Sequence, residues 1–438
     1  MASVVAKGSD GLLKRIVAQR PGLSAVVLTV VLGVLAFVVI YPLLILLFKS
    51  FEISELGVKP ANIGLGNWRV VLSEPRMIEA MKNTITLALT RQVIALALGI
   101  TFAWVIARTD IPWRNWLEFG FWVALFMPTL TVTLGWIIMF DGTSGLVNTA
   151  LVNWVWFIDE PPFEVFSWWG IVFVNLMTGT LAITVMLLTP AFRKMDASLE
   201  EASHTLGAST LTTLWRVVVP NILPAIIVAT LLGMIRSLEA FEVEWVLGVR
   251  DQIDVASTII YRDVHAASPI YGSATALAVI FLAILVPFIV LQQWMSGRRT
   301  HTTVSGNYAA RVQHLGRCKW PAFAVVLGLL LSLTVIPVML VVLSTVTSAF
   351  GFFFVDDTWT MQTWRDIVGD SGVLRALMNS MILGIGSAVL AMVVFTFIAY
   401  LTVRTKFWGR RYLDFLTWLP AMIPGWSYPW ACFGCSRK

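Results

Sequence analysis

The amino-acid sequence predicts an all-α, polytopic membrane protein, and three observations carry that expectation. Of its 438 residues, 58% are hydrophobic and only 13% charged, with a mean hydropathy of +0.81; soluble domains carry roughly a quarter charged residues. The few charges are placed so that nine stretches are left free or nearly free of them, each long enough to cross a bilayer, which takes about 20 helical residues. Lysine and arginine also alternate in density between successive connections, as the positive-inside rule requires. This composition excludes a disordered chain, a disulfide scaffold and a single-span anchor.

Taken in order, the nine stretches are Pro21–Phe48, Asn83–Ala107, Phe119–Phe140, Val165–Phe192, Val217–Ile235, Ala266–Gly297, Trp320–Val355, Ala376–Val403 and Phe415–Ser436. The first follows Lys7, Lys14, Arg15 and Arg20 and runs for 28 uncharged residues. It is too long for a signal-peptide core and is expected to remain as a helix, with residues 1–20 cytoplasmic. Alternation from there puts eighteen Lys and Arg inside, from Lys7 to Arg411, and nine outside, from Lys49 to Arg375. That bias accounts for the net charge of +6, so no nucleic-acid partner is expected. The second stretch holds one charge, Arg91. The ninth is irregular: it contains Pro420, Pro424 and Pro429 and stops at Cys432-Phe-Gly-Cys435. Three cysteines make no disulfide framework, and this lone pair lacks a second pair or a histidine to complete a metal site.

The chain repeats itself at an offset of 296. Trp68-Arg69 matches Trp364-Arg365, Asn83 matches Asn379, and Arg108-Thr109 matches Arg404-Thr405. Arg114, Leu117, Trp122 and Pro128 match Arg410, Leu413, Trp418 and Pro424, and Glu118-Phe119 matches Asp414-Phe415. The expected organisation is therefore a complete six-helix domain at 21–297, a basic cytoplasmic linker at 298–319 with a turn at Gly306-Asn307, and a partial second copy at 320–438.

Between the fourth and fifth stretches lies the segment 193–220, expected on the cytoplasmic side. It reads as two short helices around a glycine. Asp196 or Ser198 can cap the first helix, with Glu200 and Glu201 near its positive end. Gly207 suits the left-handed residue that ends it, and Ser209 can cap the second, with Pro220 just before the fifth span. Leu199, Ala202 and Leu206 share one face. A rigid helix pair held out from a membrane domain is a handle for a partner protein.

Glu201-Ala202-Ser203, Gly207 six residues after the glutamate, and Val219-Pro220 together resemble the "EAA" loop of binding-protein-dependent ABC-transporter permeases. Ser203 departs from the commoner alanine by a small-for-small change. The resemblance implies an importer membrane subunit without cofactors, in the inner membrane of a bacterium. Its partners would be a separate ABC ATPase subunit on the cytoplasmic side, an external substrate-binding protein and the lipid bilayer. Glu201, Ala202, Ser203, Gly207 and Pro220 would form the loop that couples to the ATPase. The two-copy layout is similar to the fused ferric-iron permeases, as are Leu315-Gly316-Arg317, Ser237–Trp245 and Tyr271–Ala276. Ferric iron is the expected solute; thiamine, polyamine and phosphonate permeases share the layout. A partnerless secondary carrier is the rival class.

The remaining chemistry is sparse. No Gly-x-x-x-x-Gly-Lys-Ser/Thr occurs, so ATP would come through a partner. The four histidines (His204, His265, His301, His314) lack ligand spacing, and no nucleophile–base constellation suggests an enzyme. Arg236 and Glu239, three residues apart, can pair on one helical face. Glu239, Glu242 and Glu244 are expected near the outer end of the fifth span. They either line a mouth that receives a hard cation, or face water and hold the carrier by salt bridges. Finally, the offset of 296 puts a second coupling loop at 497, past residue 438, and implies a full-length relative of about 600 residues. If Ser427 and Ser436 use TCN codons and Arg437 a CGN codon, the tail after Pro424-Gly425 reads as an apolar helix one base out of frame. A frameshift there is the expectation, leaving one complete docking loop where a fused permease offers two, and hence a non-functional fragment unless another chain supplies the missing half.

Overall fold

The computed structural model describes residues 21–53, 62–155, 157–195, 202–203, 205–297, 312–351, 353, 359–404, 412–413 and 416. These are mostly helical, with three isolated backbone bridges and no extended strand among the described residues. The chain is an all-α, multi-span membrane protein. Among the described residues, seven helices are long and apolar enough to span a bilayer: Thr29–Ser50, Pro75–Arg108, Trp168–Arg193, Leu214–Leu238, Tyr271–Gln292, Gly316–Ser344 and Ser371–Leu401. An eighth crossing is available only as a bent pair.

That bent pair corrects the third expected span. Phe119–Phe140 is not one rod. Arg114–Leu125 and Thr129–Phe140 meet at 99°, because Pro128 has no amide hydrogen to continue the first helix and disfavours a helical residue before it. Other boundaries move for similar local reasons. The sixth span begins at Tyr271, after Pro269. The seventh ends at Ser344, where Ser344, Thr345 and Thr347 turn their hydroxyls onto carbonyls three residues back. Trp168–Arg193 carries a π turn at Leu176–Thr180, with Gly179 at φ +102°. The ninth stretch, apart from Leu416, and the turn expected at Gly306-Asn307 lie outside the described residues.

The repeat reappears as structure. Helices Gly66–Ser73 and Pro75–Arg108 are followed, 296 positions on, by Gln362–Gly369 and Ser371–Arg404, with identical lengths of 8 and 34 residues. Each pair is preceded by an antiparallel bridge, Glu52 to Ile63 and Thr347 to Trp359.

By contacts the chain divides into two compact units, 68–366 and 1–67 with 367–438. In the first, the helix Pro75–Arg108 packs along Trp168–Arg193 and Leu214–Leu238. Lipid tails are as apolar as the helices, so close packing and polar ties hold such a bundle rather than a hydrophobic drive. The sequence supplies what that requires. Ala88, Ala95, Gly99 and Ala103 form a buried stripe of small residues on one helix face. At Gly99 the approach is so close that a Cβ would stand 2.5 Å from Thr184 Cγ2. Leu181, Ala182, Val185 and Leu188 are fully buried on the facing span. Residues of the second copy belong to this unit too: Trp113, at the turn before Arg114–Leu125, meets Phe323 edge-on with centroids 5.8 Å apart. In the other unit, Val31, Leu32 and Leu35 pack against Ile398, Leu401 and Leu413. There Asn67 Nδ2 donates to the carbonyls of Ser50 and Glu52, at 3.2 and 2.8 Å, closing the end of the helix Pro21–Ser50.

Candidate coupling loop and buried ion pair

The segment between the spans Trp168–Arg193 and Leu214–Leu238 forms a glycine-hinged pair of turns. Ala202, Ser203 and Thr205 are helical. The amide of Leu206 donates to Ala202 O and that of Ala208 to Ser203 O, both at 3.1 Å. Between them Gly207 sits at φ +83°. This six-to-one closure over a left-handed residue is the helix C-terminus expected from the sequence. Ser209 then accepts the amide of Thr212 at 3.3 Å, capping the turn Thr210–Thr213.

Ser203, the departure from alanine, has a structural use. Its hydroxyl lies 2.9 Å from Thr213 Oγ1 and ties the two arms together, which a methyl group could not do. Leu206 is 88% exposed, and Ala202 and Trp215 are exposed as well, so the loop presents apolar surface away from the bundle. Glu201, with 196–200 and His204, lies outside the described residues.

Pro220 is placed differently from the expectation. It stands inside a helix rather than before one, because Thr210–Thr213, the π turn Leu214–Val218 and Val219–Leu238 run on continuously. A proline leaves one carbonyl a turn earlier without its donor, and the wider π turn absorbs that mismatch.

Within the bundle, the carboxylates separate. Glu242 is exposed and Glu239 half-buried; Arg236 is exposed and acts on Glu239 as a nearby charge. Glu239 caps Val219–Leu238, its amide still bonded to Ile235 O at 3.1 Å and its Oε1 buried. Glu244, expected at the outer end, is buried. Arg91 Nη1 donates to its Oε1 at 2.8 Å, and Asn175 Nδ2 donates to the same oxygen at 3.1 Å. Three segments meet there: the span Pro75–Arg108, the residue just before the π turn, and the short helix Glu242–Gly248. Arg91 stood out in the sequence as a lone charge in a span, but no local signal names a partner 153 residues away.

The stem of the loop is also held. Arg108, fully buried, donates from Nη2 to Met195 O at 3.1 Å. Arg193 forms a two-pronged pair with Glu118, at 3.2 and 2.5 Å. Beside it, the end of the linker clasps the turn after Pro75–Arg108. Gln313 exchanges backbone hydrogen bonds with Arg108 O and Asp110 N, and Asp110 accepts from Leu315 N at 2.8 Å and pairs with His314 at 3.1 Å. Those contacts, the Leu315 amide first and His314 second, hold the Asp110 carboxyl below its usual range.

A multi-span helical bundle with an intramembrane ion pair and an exposed, glycine-hinged turn between two spans has the build of a transporter's membrane subunit. Residues 95–301 match the model of the family described as "Binding-protein-dependent transport system inner membrane component", and the chain resembles the ABC permeases of that kind, the ferric type among them. It is 25% identical to a probable ABC transporter permease of Sinorhizobium fredii, over 90% of this chain and 67% of the relative. It is 28% identical to a ferric transport system permease of Actinobacillus pleuropneumoniae, over 89% and 55%. It is 27% identical to a spermidine/putrescine transport system permease of Salmonella typhimurium, over 64% and 96%. The chain thus spans little more than half the length of the ferric relative. Its fold is similar to a chain of a bacterial alginate ABC transporter solved with an alginate-pentasaccharide-bound periplasmic protein, with a TM-score of 0.52 at 21% identity, over 67% of this chain and 99% of that one.

Proposed function

We propose that this chain is the permease subunit of an ABC importer in a bacterial inner membrane, with its N-terminus in the cytoplasm. The observation that carries the reading is the loop 193–220: a left-handed Gly207 hinge, a capped second turn and an exposed Leu206, within the stretch that matches the permease family. A separate ATPase subunit docks on this loop through Glu201, Ala202, Ser203 and Gly207, with Pro220 fixing the outgoing arm. An external binding protein delivers the solute to the opposite face. Hydrolysis by the ATPase moves the loop, and the bundle alternates between inward- and outward-open states. No covalent chemistry is assigned to the chain.

Ferric iron is the solute we infer. The reading is supported by the ferric relative, which matches along 89% of this chain, and by the oxygen ligands Glu239 and Glu242 past the end of the span Leu214–Leu238, a hard-donor set suited to a hard cation. Glu244 is the internal partner of Arg91 and leaves the mouth to the other two. A polyamine is the second reading, supported by the spermidine/putrescine relative, because carboxylates also receive organic cations. Uptake of labelled ferric iron and of labelled spermidine by cells carrying or lacking the gene separates the two. ATP-dependent iron uptake is expected; spermidine uptake alone selects the second reading, and uptake of either without ATP selects a secondary carrier.

A further inference from the structure

Three of the repeat-matched polar residues of the first copy share a geometric property. Asn83 donates from Nδ2 to Asp254 O at 3.1 Å, Arg108 from Nη2 to Met195 O at 3.1 Å, and Glu118 accepts both prongs of Arg193. Through these bonds each holds a segment that arrives later in the chain. Two of them converge on one place, the stem by which the loop 193–220 leaves the span Trp168–Arg193. Phe192 and Met195, on either side of Arg193, are buried against the bundle, so the stem is gripped by side chains, by a buried guanidinium and by a two-pronged ion pair. A planar guanidinium fixes direction as well as distance when it bonds in this way.

We propose that Arg108 and Glu118 are positioning residues of the coupling loop. They lock its incoming stem to Pro75–Arg108 and Arg114–Leu125, so that displacement of the loop moves those helices as one body. This rests on the permease reading above for what displaces the loop. The same arginine and acid positions recur in the second copy as Arg404 and Asp414.

The test uses the full chain in lipid nanodiscs and limited trypsin, following cleavage after Lys194 relative to cleavage after Arg216 by mass spectrometry. Glu118→Arg and Arg193→Glu singly are expected to raise the Lys194-to-Arg216 ratio about three- to fivefold, and the double charge swap to restore it to within about twofold. Arg108→Gln raises the ratio with no rescue from either swap. Glu118→Gln, which keeps the side-chain shape, gives the same direction in smaller measure and covers the case in which a reversed charge prevents folding. A wild-type ratio in the single variants, a rise shared equally by Arg216, or a double swap no better than the singles overturns the proposal. No ATPase takes part in this measurement, so its failure leaves the permease reading standing. That reading fails separately if the unmodified chain retains no ATPase subunit.

Discussion

Arg91 and Glu244 meet inside the bundle as a buried ion pair, Nη1 to Oε1 at 2.8 Å, with both side chains at most 3% exposed. Asn175 donates to the same oxygen, so one carboxylate joins the span Pro75–Arg108, the π-turned span and the helix Glu242–Gly248. Breaking a buried pair from one side leaves an uncompensated charge and costs about 3–5 kcal/mol, whereas replacing both partners by apolar groups is often close to neutral. Glu244→Gln and Arg91→Met are each expected to lower the melting temperature of the detergent-purified chain markedly. The double variant Arg91→Met/Glu244→Leu should recover most of that loss. A double variant whose loss equals the sum of the singles contradicts this account of the pair.

Gly207 has open space around the position of a Cβ, yet its φ is +83°. A substitution there is therefore opposed by backbone strain and not by crowding. Asparagine visits the left-handed region readily, while a β-branched residue pays about 1–2 kcal/mol or more. Gly207→Asn should retain ATP-coupled uptake, and Gly207→Val should lose most of it while inserting normally. Equal uptake by the two variants, measured at matched membrane abundance, would separate the loop's conformation from its function.

The small-residue stripe makes the opposite demand at Gly99, where crowding decides. A Cβ there would press on Thr184 at 2.5 Å, and overpacking of a fitted interface costs about 1–3 kcal/mol. Gly99→Leu should lower thermal stability more than Gly33→Leu, whose surroundings are open. Comparison of the two melting curves in one detergent checks it.

Asp110 offers a pH dependence with a defined sign. Its carboxyl is held below its ordinary range by the Leu315 amide and by His314. A group with a depressed folded-state pKa contributes stability above its unfolded value and loses it as pH falls through the folded one. The clasp on the linker should therefore hold at neutral pH and open only under acid below the ordinary aspartate range. Amide exchange at Leu315 reads this directly: its protection factor in Asp110→Ala at neutral pH should fall to that of the acidified wild type. Unchanged protection of Leu315 in that variant would contradict the clasp.

Much of this molecule was legible in its sequence, for identifiable reasons. Spans announce themselves because lipid tolerates few charges, and the loop's hinge because one glycine and one serine sit where the backbone needs them. Even the repeat offset returns as matched helix lengths. The missed features are those that depend on distant partners. Glu244 has the same local signature as Glu242, and only the position of Arg91 in three dimensions distinguishes a buried acid from an exposed one. Arg236 and Glu239 have the spacing of a pair, but spacing does not tell that Arg236 is exposed while Glu239 Oε1 is buried. The bend at Pro128 was hidden because hydropathy cannot tell a straight span from two half-length helices. Pro220 looked like a helix start because a π turn leaves no mark in composition.

The central claim is that the loop 193–220 is where the chain meets an ATPase. Cysteine cross-linking tests it most directly, with Cys318, Cys432 and Cys435 replaced by serine and single cysteines placed at Ala202 or Leu206, both exposed, or at the lipid-side Val93 as a control. With the ATPase subunit from the same cells present, a short bifunctional reagent should join Ala202→Cys and Leu206→Cys to that subunit, in yields that change when ATP is added, and leave Val93→Cys unjoined. Equal labelling at all three positions, or none at the loop while the ATPase remains bound, would contradict the account.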